Sequence, residues 1–243
     1  MTTLWQPSLS AKYQAMSDDE LADAITARRK QLGDDLLILG HYYQQDEVIH
    51  HADLTGDSLK LSQLAAAESV KRGTKYIVFC GVHFMAETAD MLTPPDVAVV
   101  LPDLSAGCSM ADMAEYDDVV TAWEELHESL GPEFNGRVIP ITYVNSSAAV
   151  KAFVGSHGGA CCTSSNAAQI FQWALNGGNE PRRHDETIKL LFLPDQHLGR
   201  NTAKAFGLHT DVDARLPFDR PALDRREAPV VPAVALVQIE QPV

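Results

Sequence analysis

The sequence predicts an α/β fold built from two similar three-layer domains, each organised around a parallel sheet. Three observations carry this. Short apolar runs alternate with helix-length segments, the pattern of βαβ units. The scheme breaks near Gly131-Asn135-Gly136 and then repeats. Most of the strand-like runs also end directly in a polar or ligating side chain. In open α/β sheets, ligands bind beyond the carboxyl ends of the strands, so these endings read as one convergent site.

The elements follow in order. Ser17-Asp18-Asp19-Glu20 is a capping box, and it starts an amphipathic helix carrying Leu21, Ile25 and Leu32 that stops at Gly33. Strand Leu36 to Leu39 feeds the His41 loop. Asp57-Ser58 opens a helix through Leu59, Leu61, Leu64, Ala65 and Val70, ended by Gly73. Strand Lys75 to Cys80 precedes a short helix around Phe84 to Met91, which Pro94-Pro95 stops. Strand Val97 to Leu101 leads to the Cys108 turn, and a helix of about 117–130 closes the first half. In the second half, strand Arg137 to Thr142 is followed by a helix near Ser147 to Phe153. A short strand, Gly159 to Cys162, turns into helix Ala167 to Leu175, and strand Ile188 to Leu193 into helix Leu198 to Phe206. The expected division is an N-terminal helical segment over 1–33, a first domain over 34–130 and an incomplete second domain over 131–208. Residues 209–243 have no Gly, five Pro and no helical period, so a divergent, poorly ordered tail is expected, with one strand at most near 233–237.

Bulk composition narrows the function. The 243 residues are 45% hydrophobic and carry 19 Lys plus Arg against 33 Asp plus Glu, for a net charge of −14. That balance forms no basic stripe and argues against nucleic acid and anionic membranes as partners. No apolar run approaches the roughly 20 residues of a membrane span. The start shows no basic region followed by an apolar one, so a cytoplasmic location is expected. Four cysteines without a C-x-x-C pair exclude a disulfide scaffold, a zinc ribbon and thioredoxin-like chemistry.

Individual residues then carry the chemistry. Cys108 lies in a Gly-Cys-Ser turn read as a helix start, where amides would stabilise a thiolate ligand or nucleophile; the alternative is a buried structural cysteine. Cys80 reads as core, and Cys162 as packing or as a residue reaching the site. His41 follows a strand and a glycine, so it is expected on a loop at the carboxyl edge of the sheet; His50 and His51 read as surface residues. Ser58 and Ser164 sit where helices begin, either as caps or as donors to an anion. Tyr143 and Asn145 alternate along an extended segment and face one side, suited to a carboxylate ligand or to strand-end capping. Asp195 to Asn201 either binds phosphate or bridges domains. There is no Walker A or GxGxxG pattern.

Seven segments taken together resemble the quinolinate synthase family. They are Gly40-His41-Tyr42-Tyr43-Gln44, Thr55-Gly56-Asp57-Ser58-Leu59, Phe79 through Thr88, Leu101 through Asp112, Tyr143-Val144-Asn145-Ser146, Cys162 through Ala167, and Pro194 through Lys204. They occur in the family's order over roughly residues 30–208. The resemblance implies three similar α/β domains around a 4Fe-4S cluster, held by one cysteine from each, whose fourth iron acts as a Lewis acid. It implies a transferase of de novo NAD biosynthesis that condenses iminosuccinate with dihydroxyacetone phosphate, releasing phosphate and two waters, and a functional link to L-aspartate oxidase. By position, Cys108 resembles the first cluster ligand, the metal site of this chain. His41, Ser58, Tyr143, Asn145 and Ser164 resemble substrate-binding residues, with His41 and Tyr143 catalytic.

The chain departs from the family pattern at its end. The second cysteine of the family follows the Asp-x-His-Leu-Gly-Arg segment and the third lies further on, beyond a His-x-Glu pair. No cysteine follows Cys162 here. The expectation is a chain truncated after its second domain, the third missing, through a reading-frame shift near Leu208. Two other readings stay open: a non-catalytic remnant that binds dicarboxylates, and an unrelated metalloenzyme in which Cys108, His41 and His83 hold one metal.

Overall fold

The computed structural model describes residue 6, residues 8–208 and residues 235–238. The chain forms two compact units, Met1–Cys108 and Ser109–Val243. The expected tail over 209–243 lies outside the described residues except for one strand.

In the first unit, the short helix α1 (Ala11–Gln14) precedes α2 (Asp18–Leu32). The capping box forms as expected: Glu20 N–H donates to Ser17 Oγ at 3.3 Å and Ser17 N–H donates back to Glu20 Oε2 at 2.8 Å. The amphipathic stripe expected on α2 is covered only in part: Leu21 and Leu32 are half-buried, Ile25 is 40% exposed, and no residue of the helix is fully buried. An ion pair from Arg29 to Asp53 ties α2 to the unit, and Asp53 also accepts from Ile38 N–H at 2.8 Å.

Strand β1 (Leu36–His41) is followed by α3 (Asp46–Ile49) and β2 (Leu54–Gly56), neither of which has a visible sequence signal. Next come α4 (Ser58–Arg72), β3 (Tyr76–Cys80), α5 (His83–Leu92) and β4 (Ala98–Val100). The strands form an all-parallel sheet in the order β2-β1-β3-β4. Leu37, Leu39, Ile77 and Phe79 are fully buried, and α4 and α5 pack on each other and on the sheet. Alternation puts these four side chains on one face, since successive strand residues point to opposite sides. Gly73 ends α4 at φ 70°, a left-handed conformation that costs glycine little.

The second unit opens with α6 (Tyr116–Leu130), β5 (Gly136–Tyr143), α7 (Ala148–Ser156) and β6 (Ala160–Cys162). It continues with α8 (Ala167–Leu175), β7 (Thr187–Leu193), α9 (Gln196–Ala205) and β8 (Ala235–Gln238). Its sheet runs β6-β5-β7-β8; the first three strands are parallel, and β8 joins β7 antiparallel. The strand considered near 233–237 therefore forms.

Three layers result. Ile139, Ile141, Ile188, Leu190 and Phe192 face α8 and α9, packing on Phe171, Ala174 and Ala203. Val138, Leu191 and Leu193 face the other way, onto Val119 and Leu126 of α6 and Val150, Phe153 and Val154 of α7. Each fully buried Leu, Ile or Phe contributes about 1.5–3 kcal/mol of transfer free energy.

That packing moves the boundary. The break expected at residues 130–131 is a turn inside the second unit, with Gly131 at φ 67°. The division falls at Cys108 instead, because the apolar stripe of α6 is buried against β5, β7 and α7.

Candidate functional site

All strands of the first sheet are parallel, so the residues that follow them share one edge. His41 is the last residue of β1, in register with Gly56 of β2. The expectation of a projecting loop histidine is corrected here: His41 is 6% exposed. Pairing with β2 extends the strand by enough to hold it. Its ring stacks on Tyr42 at 4.8 Å, and Tyr43 N–H donates to its Nδ1 at 3.4 Å. Gly40 lets the chain approach closely, for a Cβ there would lie 2.8 Å from Ile49 Cδ1 and 3.0 Å from Ala52 Cβ. Burial pushes the His41 pKa down, against a smaller upward pull from the Asp57 carboxylate, so the neutral imidazole is favoured.

Ser58 follows two residues beyond Gly56. The cap of α4 is Asp57, which accepts Lys60 N–H at 2.8 Å, so the capping reading of Ser58 is corrected and its half-buried hydroxyl is not needed for that purpose. His83 opens α5 after β3 and pairs with Glu87 at 3.4 Å.

Cys108 lies in the loop after β4, half-buried and free of any disulfide. The expected helix start at this point is absent: a 3-10 turn occupies Ala111–Met113 and α6 begins only at Tyr116. The argument from helix amides to a stabilised thiolate therefore fails. The loop is positioned otherwise, through His83 N–H donating to Ala106 O at 3.0 Å and an Asp103 carboxylate that accepts Ser105 N–H at 2.8 Å and Oγ at 2.6 Å.

In the second unit, Tyr143 ends β5 in register with Cys162 of β6. Asn145 follows, and both are half-buried on either side of the buried Val144. The bend is pinned by Ser146 Oγ donating to Tyr143 O at 2.8 Å and Thr142 Oγ1 donating to Ser146 Oγ at 2.9 Å. Lys151 Nζ donates to Ser146 O. Sequence reasoning missed that Ser146, Thr142 and Lys151 hold this bend, since only the fold makes them partners. Ser164 lies exposed in the turn from β6 to α8. The N-cap position of that helix is held by Asn166, whose side chain makes no capping bond and whose Oδ1 accepts Thr163 N–H at 2.6 Å, so Ser164 is not a cap either.

Cys162 is 1% exposed, and burial, then Cys161 and Asp195, push its pKa up to about 12. It is a packing residue. Burial likewise pushes the Cys80 thiol up. After β7, Asp195 caps α9, accepting His197 N–H at 3.0 Å and Leu198 N–H at 2.9 Å.

Each sheet thus gathers its own set at its carboxyl edge: His41, Ser58 and Cys108 in one unit, Tyr143, Asn145 and Ser164 in the other. Among the described residues, no group of three or more His, Cys, Asp or Glu is placed to hold a metal ion. This removes the single-metal site of Cys108, His41 and His83. A cubane cluster takes several thiolates, so the donor set of this chain alone falls short of one. No helix among the described residues is long and apolar enough to cross a membrane.

Parallel sheets with hydroxyl, amide, imidazole and thiol groups at their carboxyl edges define a class, the α/β proteins that take small polar ligands at strand ends. Within that class the chain belongs to the quinolinate synthetase A protein family, whose model matches residues 23–227. The match continues past residue 208, where the resemblance was expected to stop. The chain is 52% identical over 206 residues to quinolinate synthase of Corynebacterium glutamicum, covering 85% of this chain and 48% of that protein. It is 56% identical over 193 residues to quinolinate synthase of Herpetosiphon aurantiacus, covering 79% and 48%. For quinolinate synthase of Geobacillus kaustophilus the figures are 54% over 200 residues, 82% and 50%. The chain spans about half the length of these curated relatives.

Proposed function

We propose that this chain serves quinolinate synthase chemistry, the condensation of iminosuccinate with dihydroxyacetone phosphate to quinolinate, phosphate and two waters. The observation that supports it most is that His41, Ser58, Tyr143, Asn145 and Ser164 each stand at or within two residues of the carboxyl end of a parallel strand. His41, Ser58, Tyr143, Asn145 and Ser164 are the dicarboxylate-binding residues. Each offers a neutral donor, which suits a substrate with two carboxylates. His41 and Tyr143 are the proton-transfer residues. The buried imidazole of His41 is held neutral, and the Tyr143 phenol supplies an O–H; a positioned acid or base of this kind is worth about 10²–10⁴ in rate.

Cys108 is the thiolate this chain would give to an iron–sulfur centre. A complete 4Fe-4S ligand set needs more thiolates than Cys108 supplies, and among the described residues no group of three or more His, Cys, Asp or Glu is placed to hold a metal. That observation favours a second reading, in which the chain binds dicarboxylates without completing the condensation. A cytoplasmic location and a link to L-aspartate oxidase, as the source of iminosuccinate, belong to the first reading.

Anaerobic reconstitution with iron and sulfide, a quinolinate assay, and calorimetric titration with succinate separate the two. Cluster absorbance with product supports the first reading. Succinate binding without a cluster, weakened about tenfold or more by Ser58→Ala or Asn145→Ala, supports the second. Neither binding nor product defeats both.

A further inference from the structure

The second unit carries a cavity of about 490 Å³ between α6 and α7, lined by none of the residues assigned above. Three aromatic rings shape it. Tyr116 and Trp123 both stand edge-on to Phe153, at 6.2 Å and 85° and at 5.8 Å and 84°. Tyr116 remains 46% exposed, so one wall is open to solvent. His157 lies over Phe153 at 4.0 Å and 31° and 4.8 Å from Trp123, and His127 packs on the other part of Trp123 at 4.3 Å.

The formal charges carried by α6 have one sign. Glu124 is the carboxylate of the lining, and α6 also carries Asp117, Asp118, Glu125 and Glu128. The one basic side chain of α7, Lys151, is drawn away to Ser146 O. Ring faces carry negative quadrupole charge and attract cations, and a carboxylate at the rim adds to that attraction. An apolar neutral ligand would use the rings and leave the carboxylate without a counter-charge.

We propose that the cavity lined by Tyr116, Trp123 and Glu124 over the buried Phe153 is a binding site for an organic ammonium ion, a quaternary or alkylated amine small enough to rest against the two outer rings. The cation enters past Tyr116, its alkyl groups contact the Tyr116 and Trp123 rings, and Glu124 balances its charge.

The test uses the full chain at pH 8, following tryptophan indole N–H signals by two-dimensional NMR. The Trp123 signal is assigned by its loss in Trp123→Phe. Choline is titrated in one series and its neutral isostere, 3,3-dimethylbutan-1-ol, in another. Choline is expected to shift Trp123 saturably and to leave Trp173, which packs on the opposite core, unmoved. The isostere should bind at least about twofold more weakly, the low end of a cation–π preference at an exposed site. Tyr116→Ala and Glu124→Gln, both at exposed positions, should each weaken choline binding with the fold retained. Equal binding of the isostere, movement of both tryptophans together, no saturable shift, or indifference to both substitutions overturns the proposal.

Discussion

A single substitution made at two glycines gives the sharpest check on the packing of the second unit. Gly199 lies inside α9 and Gly155 inside α7, so alanine raises intrinsic helix propensity at both, by up to about 1 kcal/mol. At Gly155 nothing lies within 4 Å of the added Cβ. At Gly199 the Cβ would lie 2.8 Å from Phe192 Cγ, 2.9 Å from its Cδ1 and 3.0 Å from its Cβ. Those atoms belong to a fully buried ring packed 5.5 Å from Phe171, and they cannot swing aside as a flexible chain end would. Either α9 retreats by roughly half an ångström or Phe192 leaves its rotamer, and overpacking of this kind costs about 1–3 kcal/mol. The net expectation is destabilisation of about 1–2 kcal/mol for Gly199→Ala and stabilisation of about 0.5 kcal/mol for Gly155→Ala. At this chain length the first lowers the melting temperature by about 3–6 °C and the second raises it by a degree or two. Thermal unfolding followed by circular dichroism reads both. Shifts of the same sign, or a Gly199→Ala protein as stable as the parent, refute the reasoning.

Three further outcomes follow from the same geometry. Burial holds His41 and, with help from His50 and Arg29, His51 below the ordinary histidine pKa; the unfolded chain therefore binds more protons as pH falls. Stability from these groups is complete above about pH 6.5 and is lost as pH drops through their lowered folded values, so denaturation midpoints should fall as pH drops below about 6.5, and less steeply in His41→Asn. Cys162, at 1% exposure and a pKa pushed up to about 12, should be the last thiol alkylated by iodoacetamide at pH 8, as read by peptide mass spectrometry; early labelling would contradict its packing role. Asp57→Ala should cost about 1 kcal/mol in urea unfolding by removing the cap of α4, whereas Ser58→Ala should leave stability within about 0.5 kcal/mol and act on dicarboxylate binding; equal costs would undo the distinction between cap and ligand residue.

Much of the fold was legible because it rests on local signals. Helix α8 runs over the residues its pattern suggests, Ala167–Leu175, and the Ser17–Glu20 capping box forms with both hydrogen bonds. Strands rich in Val, Ile and Leu announced β1, β3, β5 and β7. Strand β2 stayed hidden because Leu54–Gly56 has three residues and a single large apolar side chain; it exists through its pairing with β1. The two serines were legible as site candidates, and the capping alternative fails because Asp57 takes that role at α4 and Asn166 occupies the cap position of α8.

What the sequence alone determined is the alternation of strands and helices, the family, and the identity of the polar residues at strand ends, because periodicity, capping and motif order are written in neighbouring positions. Only the tertiary structure decided that α6 belongs to the second unit, that His41 is buried at the end of β1, and that Cys108 lies in a loop with no helix start behind it. Those depend on contacts between residues far apart in the chain, such as Val119 and Leu126 against Val138 and Leu191. Burial is a property of the packed whole, and a single run of residues does not contain it.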